Sequence, residues 1–220
     1  MINAGRGQFP GSRASAISAL VVIAISVIAV SFGHSAVYPG STRPALAKGV
    51  FLVAGNNMRA PLFMESVIYV ISYDKNGAMG VIINHPTKVG LSEVLPDIKG
   101  MLKRNDPLYM GGPVAMEQLM MIIRSGTPPA GSLQLFDHVY ISSDTGYLKR
   151  MIDNPGADEQ FRVYAGYAGW APGQLEREIS RNDWLVTEAD AKFLFDKPAS
   201  SVWPELIETI PSLEVMNREK

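Results

Sequence analysis

The sequence contains no cysteine. Disulfides, thiolate nucleophiles and cysteine metal sites are thereby excluded. A chain without thiols suits an oxidising or a reducing compartment equally, so its location stays open on this count. Histidine is nearly as scarce, with three in 220 residues. Only His85 and His138 fall in the part that reads as a folded domain. No serine sits in a Gly-x-Ser-x-Gly elbow, and a Ser-His-Asp site needs a base within reach of its nucleophile. The phosphate loop Gly-x-x-x-x-Gly-Lys and the dinucleotide fingerprint Gly-x-Gly-x-x-Gly are both missing. Asp137, His138 and Asp144 lie close in sequence without the spacing of helical or hairpin metal ligands. No metal, no other cofactor and no catalytic residue is therefore expected. Clustered Lys and Arg are lacking too. Arg6, Arg13 and Arg43 are the only charged residues before residue 48; of the 20 Lys and Arg this leaves 17 beyond it, against all 21 Asp and Glu, a net of −4. A mildly acidic domain has no overall attraction for a phosphate backbone, so direct nucleic-acid binding is not expected.

What the chain does have is a long apolar run. From Ala14 to Phe32 it reads ASAISALVVIAISVIAVSF without a charge. As a helix this run would be about 28 Å long, close to the hydrocarbon thickness of a bilayer. Arg6 and Arg13 precede it, which places the N-terminus in the cytoplasm and the domain on the far side. An uncleaved anchor is favoured by the length of the run. A cleaved signal peptide is the alternative, with Ala45-Leu46-Ala47 as a small-x-small site farther downstream than such sites usually sit. The chain thus divides into a basic stretch 1–13, a transmembrane or signal segment 14–32, a linker 33–47 rich in turn formers, a globular domain 48–212 and a tail 213–220.

Within the domain, Gly49 to Ala54, Ser66 to Tyr73 and Ala78 to Asn84 read as strands. The turn Asp74-Lys75-Asn76-Gly77 joins the last two into an antiparallel hairpin. Further strands are expected at 107–110, 119–124, 139–142 and 161–166, with an extended stretch at 183–186. Helices are expected at 91–98, 146–152, 171–180, 188–195 and from 201 through 210. Thr187 reads as the cap of the fourth of these, with Asp190 in a capping-box position. Pro86 to Gly90 reads as a loop, and Pro61 to Met64 as a loop whose apolar side chains fold inward. Hairpin strands mixed with scattered helices define an α+β fold, a single compact domain with peripheral helices.

Three blocks carry the candidate site. Asn84 and His85 end a buried-looking strand before Pro86; they could meet a ligand or simply bond backbone. Gly111 and Gly112 could cradle an anion with their backbone or form a tight turn. Gly166 to Leu175 is the densest block. Its glycines allow close approach of backbone, Trp170 is large enough to wall a pocket, and the helix that follows carries Gln174 and Glu178. A packed strand-to-helix corner is the structural alternative, and Glu176 and Glu178 could equally be solvated helix-face charges.

Taken together, the blocks GVFLVAGNNMRAPLFMESVIYVI, GAMGVIINHP, MGGPV and GYAGWAPGQLEREISRNDWL, followed by a Phe-Leu-Phe helix and a Trp, resemble the YqgE/AlgH family over residues 46–210. The matching positions are Gly77, Gly80, Asn84, Pro86, Gly111, Gly112, Pro113, Gly166, Gly169, Trp170, Gly173, Gln174, Leu175, Glu178, Asn182 and Trp184. The resemblance implies a bacterial α+β domain, a family label of transcriptional regulator tied to alginate production, and no agreed catalytic residues. Two positions depart from the family pattern: His85 stands where Arg is common and Ala60 where Asp is usual. The first 47 residues are extra, since most members begin near the domain and are soluble. The reading that follows is a regulatory or binding domain for a small molecule or a protein, with Asn84, His85, Gly111, Gly112, Gly169, Trp170, Gln174 and Glu178 lining one pocket. Two alternatives stand beside it: an enzyme using Asn84, His85, Gln174 and Glu178 around a shared cleft, and a transcriptional regulator acting indirectly.

Overall fold

A computed structural model describes residues 44–210. The stretch 1–13, the apolar segment 14–32, the linker up to residue 43 and the tail 213–220 lie outside the described residues. Among the described residues, no helix is long and apolar enough to cross a membrane.

Ten strands make one sheet: β1 Val50–Ala54, β2 Val67–Asp74, β3 Gly77–Ile82, β4 Pro86–Gly90, β5 Pro107–Met110, β6 Val114–Arg124, β7 Leu133–Phe136, β8 Val139–Ser142, β9 Gln160–Trp170 and β10 Trp184–Glu188. Among the described residues, five α-helices accompany them, α1 Leu91–Val94, α2 Thr145–Asp153, α3 Gln174–Ser180, α4 Ala191–Phe195 and α5 Ala199–Thr209, with short 3-10 turns at Pro61–Phe63 and Lys99–Lys103. The strand order is β10-β1-β2-β3-β9-β6-β8-β7, with β5 also on β9 and β4 on β5. All pairings are antiparallel except β5 with β9.

Alternation along the strands sorts their side chains to two faces. Leu52, Ala54, Ile68, Val70, Ala168, Trp170, Trp184 and Val186 share one face with Leu175 of α3. Phe51, Val53, Tyr69, Val81 and Tyr164 share the other with Phe193 and Leu194 of α4 and Val202 and Leu206 of α5. A third cluster sets Leu148 and Met151 of α2 against Leu108, Met121, Ile123 and Val163. The sheet also curls. Trp170 ends β9 and Trp184 begins β10, four strand steps away, which in a flat sheet means a lateral separation of about 19 Å. Their ring centroids are nevertheless 6.1 Å apart. The coiling that sheet twist imposes has brought the two strand ends together over the first core.

The structure revises several local expectations. Pro86 to Gly90 is an edge strand paired with β5, not a loop. β6 and β9 are longer than expected, because β9 runs through Gly166 and Gly169 to Trp170. β7, Leu133–Phe136, forms where the sequence pattern predicts no strand. α1 is confined to Leu91–Val94, and α3 begins at Gln174 rather than at Ala171. Thr187 lies in β10 opposite Phe51, and it is Asp190 that caps α4, accepting from the Lys192 N–H at 2.8 Å. In the 61–64 turn Phe63 packs on Trp184, whereas Leu62 and Met64 are exposed.

One polar cluster ties α2 to the loop before β9. Arg150 donates to both Glu159 oxygens at 2.7 Å, Tyr147 Oη donates at 3.0 Å and the Gly156 N–H at 2.9 Å. The guanidinium holds the Glu159 carboxyl at about 2, below its ordinary 4.5. A depressed carboxylate adds stability above its unfolded value and loses it as pH falls toward its folded one. Denaturant melts of the wild type should therefore lose this contribution between about pH 4.5 and pH 2. In Glu159→Gln the same window should be flatter; equal slopes in the two proteins would contradict the assignment.

Candidate functional site

The eight candidate residues separate into two sets. Gly169, Trp170, Gln174 and Glu178 line a cleft of about 730 Å³, together with Asn57, Met58, Arg59, Ala60, Phe63, Arg181, Asp183 and Trp184. Asn84, His85, Gly111 and Gly112 are not among its lining residues. The single pocket and the shared cleft of the enzyme alternative therefore do not form as expected.

Asn84 is buried and bridges backbone: its Oδ1 accepts from the Val67 N–H at 2.8 Å and its Nδ2 donates to the Glu65 carbonyl at 2.8 Å. The pair holds Glu65 in the left-handed region, φ 55°. His85 Nε2 lies 3.3 Å from Ser66 Oγ, and burial pushes the imidazole below its ordinary value. The pair has the outline of a nucleophile and its base, but Ser66 is wholly buried, where no substrate carbonyl can reach it. Gly111 and Gly112 serve the sheet. The edge of β9 is shared, first by β5 at Val163–Ala165 and then by β3 at Ala168–Trp170. At the handover the Gly111 N–H donates to Ala165 and the Gly111 carbonyl accepts from Ile82. A Cβ on Gly111 would fall 2.3 Å from the Gly166 carbonyl oxygen. No room remains there for an anion.

The cleft is built from two walls far apart in sequence. One is α3, whose Gln174 and Glu178 lie four residues apart and so share a face, with Arg181 just beyond. The other is the loop 55–63 between β1 and β2. The loop is fixed by Gly55 N–H to Asp183 O and Met58 N–H to Gly55 O, both 2.9 Å. Trp170 and Trp184 stand between, edge to face at 83°, both less than a tenth exposed. Their indole N–H groups donate to the same Glu178 oxygen, Oε2, at 2.8 and 2.9 Å. The other oxygen, Oε1, accepts from Gln174 Nε2 at 3.0 Å, and Gln174 Oε1 accepts from the Ala171 N–H at 3.1 Å. This is one polarised chain of donors ending on a carboxylate. Tyr73 Oη anchors the same helix by donating to Glu176 at 2.6 Å, a bond that pushes the phenol up to about 12.

Four of the eight expected residues line this cleft; Asn57, Met58, Arg59, Ala60, Phe63, Arg181, Asp183 and Trp184 line it too and lie outside the expected set. Nothing local in 57–63 marks it as the opposing wall. Gly169 contributes backbone only, since an added Cβ would lie against Tyr167 on the other face. Ala60, one of the two departures from the family pattern, sits on the loop wall. Among the described residues, no group of three or more His, Asp or Glu is placed to hold a metal.

These features define a class: a single α+β domain on a curled, almost wholly antiparallel sheet, with a cleft lined by indoles. The chain belongs to the AlgH-like family, DUF179, whose model matches residues 51–212. A UPF0301 protein of Magnetococcus marinus is 33% identical over 168 residues, covering 76% of this chain and 90% of that one. A UPF0301 protein of Coxiella burnetii is 37% identical over 157 residues, covering 70% and 83%. The solution structure of the AlgH protein from Pseudomonas aeruginosa superposes with a TM-score of 0.64 at 28% identity, covering 82% of this chain and 97% of that one. The crystal structure of protein DIP2367 from Corynebacterium diphtheriae gives 0.66 at 25%, covering 79% and 92%.

Proposed function

We propose that the domain is a non-enzymatic binding module whose ligand occupies the cleft between α3 and the 55–63 loop. The observation that carries this reading is the state of Glu178. A general acid or base must exchange a proton with substrate. Here each carboxylate oxygen already accepts from fixed donors, so the group organises a wall. The volume of about 730 Å³ falls within the range of small-molecule sites, and the lining sets Met58, Phe63 and two indoles beside charged and amide side chains. Any regulatory role would run through this ligand or a protein that senses it, since the net charge of −4 beyond residue 47 does not favour DNA. Segment 14–32 would tether the module to a membrane with the domain on the non-cytoplasmic side.

The test is a thermal-shift screen of the full chain against metabolite classes. A ligand at 100 times its Kd adds about 2.7 kcal/mol of stability. Each hit is then titrated while the three indole N–H resonances are followed. Trp170 and Trp184 should move while Trp203, whose N–H is held by the Ala54 carbonyl at 2.8 Å, stays in place. Hits that move none of the three, or no hits in any class, would remove the cleft from the account.

A further inference from the structure

We infer that the cleft selects an organic anion, a carboxylate on an apolar body, with Arg59 as the residue that recognises it; this rests on the reading of the cleft as a ligand site. Four charged side chains line the cleft: Arg59, Glu178, Arg181 and Asp183. Three of them already have partners within the domain. Glu178 accepts from two indoles and an amide, and Arg181 and Asp183 hold each other at 2.6 Å. Arg59 is exposed and pairs with no carboxylate among the described residues. The unmet electrostatic demand of the cleft is therefore for negative charge.

The same inventory argues against the opposite choice. An ammonium ligand would have to compete for a carboxylate: Glu178 already accepts three donors that cannot turn away without exposing a buried indole N–H, and Asp183 already faces the Arg181 guanidinium. It would also meet the Arg59 guanidinium across the cleft. A carboxylate meets a planar fork of donors there. Met58, Phe63 and the indole edges offer apolar surface to the rest of the molecule, and Asn57 supplies a neutral polar group. The neighbouring position, Ala60, offers Arg59 no internal partner.

The test compares 1-naphthylacetate with 1-naphthylacetamide, which share their apolar body and differ in charge. Each is titrated to about 10 mM into the full chain, above the millimolar Kd expected of ligands this small. The acid should shift the Trp170 and Trp184 indole resonances with the lower Kd, and its advantage should shrink as salt is raised. Arg59→Gln should weaken the acid about three- to fivefold and leave the amide unchanged. Ala60→Asp should act in the same direction by giving Arg59 an internal partner. Both positions are exposed, so the fold is not at risk. Equal binding of acid and amide, or an acid-to-amide ratio untouched by Arg59→Gln, overturns the anion assignment and leaves the cleft as a site for something else. Silence from both compounds also overturns it, and the unbiased screen then decides whether the cleft binds anything.

Discussion

Glu178→Gln should destabilise the domain by about 2 kcal/mol, although the two side chains have nearly the same shape. The carboxylate offers two acceptor oxygens, and the structure uses both: Oε2 for the indoles of Trp170 and Trp184, Oε1 for Gln174. An amide offers one. If its oxygen serves the indoles, its NH₂ faces the Gln174 NH₂, donor against donor. Flipping Gln174 only moves the conflict to the Ala171 N–H, which Gln174 Oε1 now accepts. One donor is left without a partner at each arrangement, and a charge-assisted acceptor is lost as well. For a domain of this size the expected loss in Tm is about 4–8 °C. Tryptophan fluorescence should change with it, because two of the three indoles lose their charged acceptor. A variant with wild-type Tm and an unchanged indole N–H spectrum would contradict the network.

The second large effect is at the strand handover. Gly166→Ala should cost about 3 kcal/mol or more, a large part of the 5–15 kcal/mol that holds a typical domain together. Gly166 sits at φ +69°, and an added Cβ would lie 2.5 Å from the Gly112 carbonyl oxygen and 2.7 Å from that of Val114. Those atoms belong to backbone that β5, β3 and β6 fix from three sides, so relief means moving strands. The control is Gly131→Ala. Gly131 has nearly the same φ, +70°, with nothing within 4 Å of its Cβ. It should show only the left-handed strain, about 1–2 kcal/mol. If the two variants melt together, the crowding at the handover is not what the glycine is for.

How much of this was legible in the sequence follows from how local each feature is. The β2–β3 hairpin was readable because its turn residues and β-branched strands are adjacent. β4 was not. Pro86-Thr87-Lys88-Val89-Gly90 lacks an apolar alternation and becomes a strand only because β5 supplies its partner from about twenty residues away. Thr187 looked like a cap until Phe51 claimed it for the sheet. Glycines argue the same way: Gly111 and Gly112 look identical in sequence whether they cradle a ligand or admit a neighbouring strand, and only the position of Gly166 decides. For the site, Trp170, Gln174 and Glu178 were visible as one dense block, while the wall that faces them lies more than a hundred residues earlier. No local pattern announces that a curled sheet will close the two together.

The most direct measurement is a crystal structure of the chain with the compound that stabilises it most in the thermal screen. The account predicts that compound between α3 and the 55–63 loop, against Phe63 and the indoles, with Glu178 still bonded to Trp170 and Trp184. A compound found elsewhere on the domain, or a bound state in which Glu178 releases the indoles to bond the ligand itself, would contradict it.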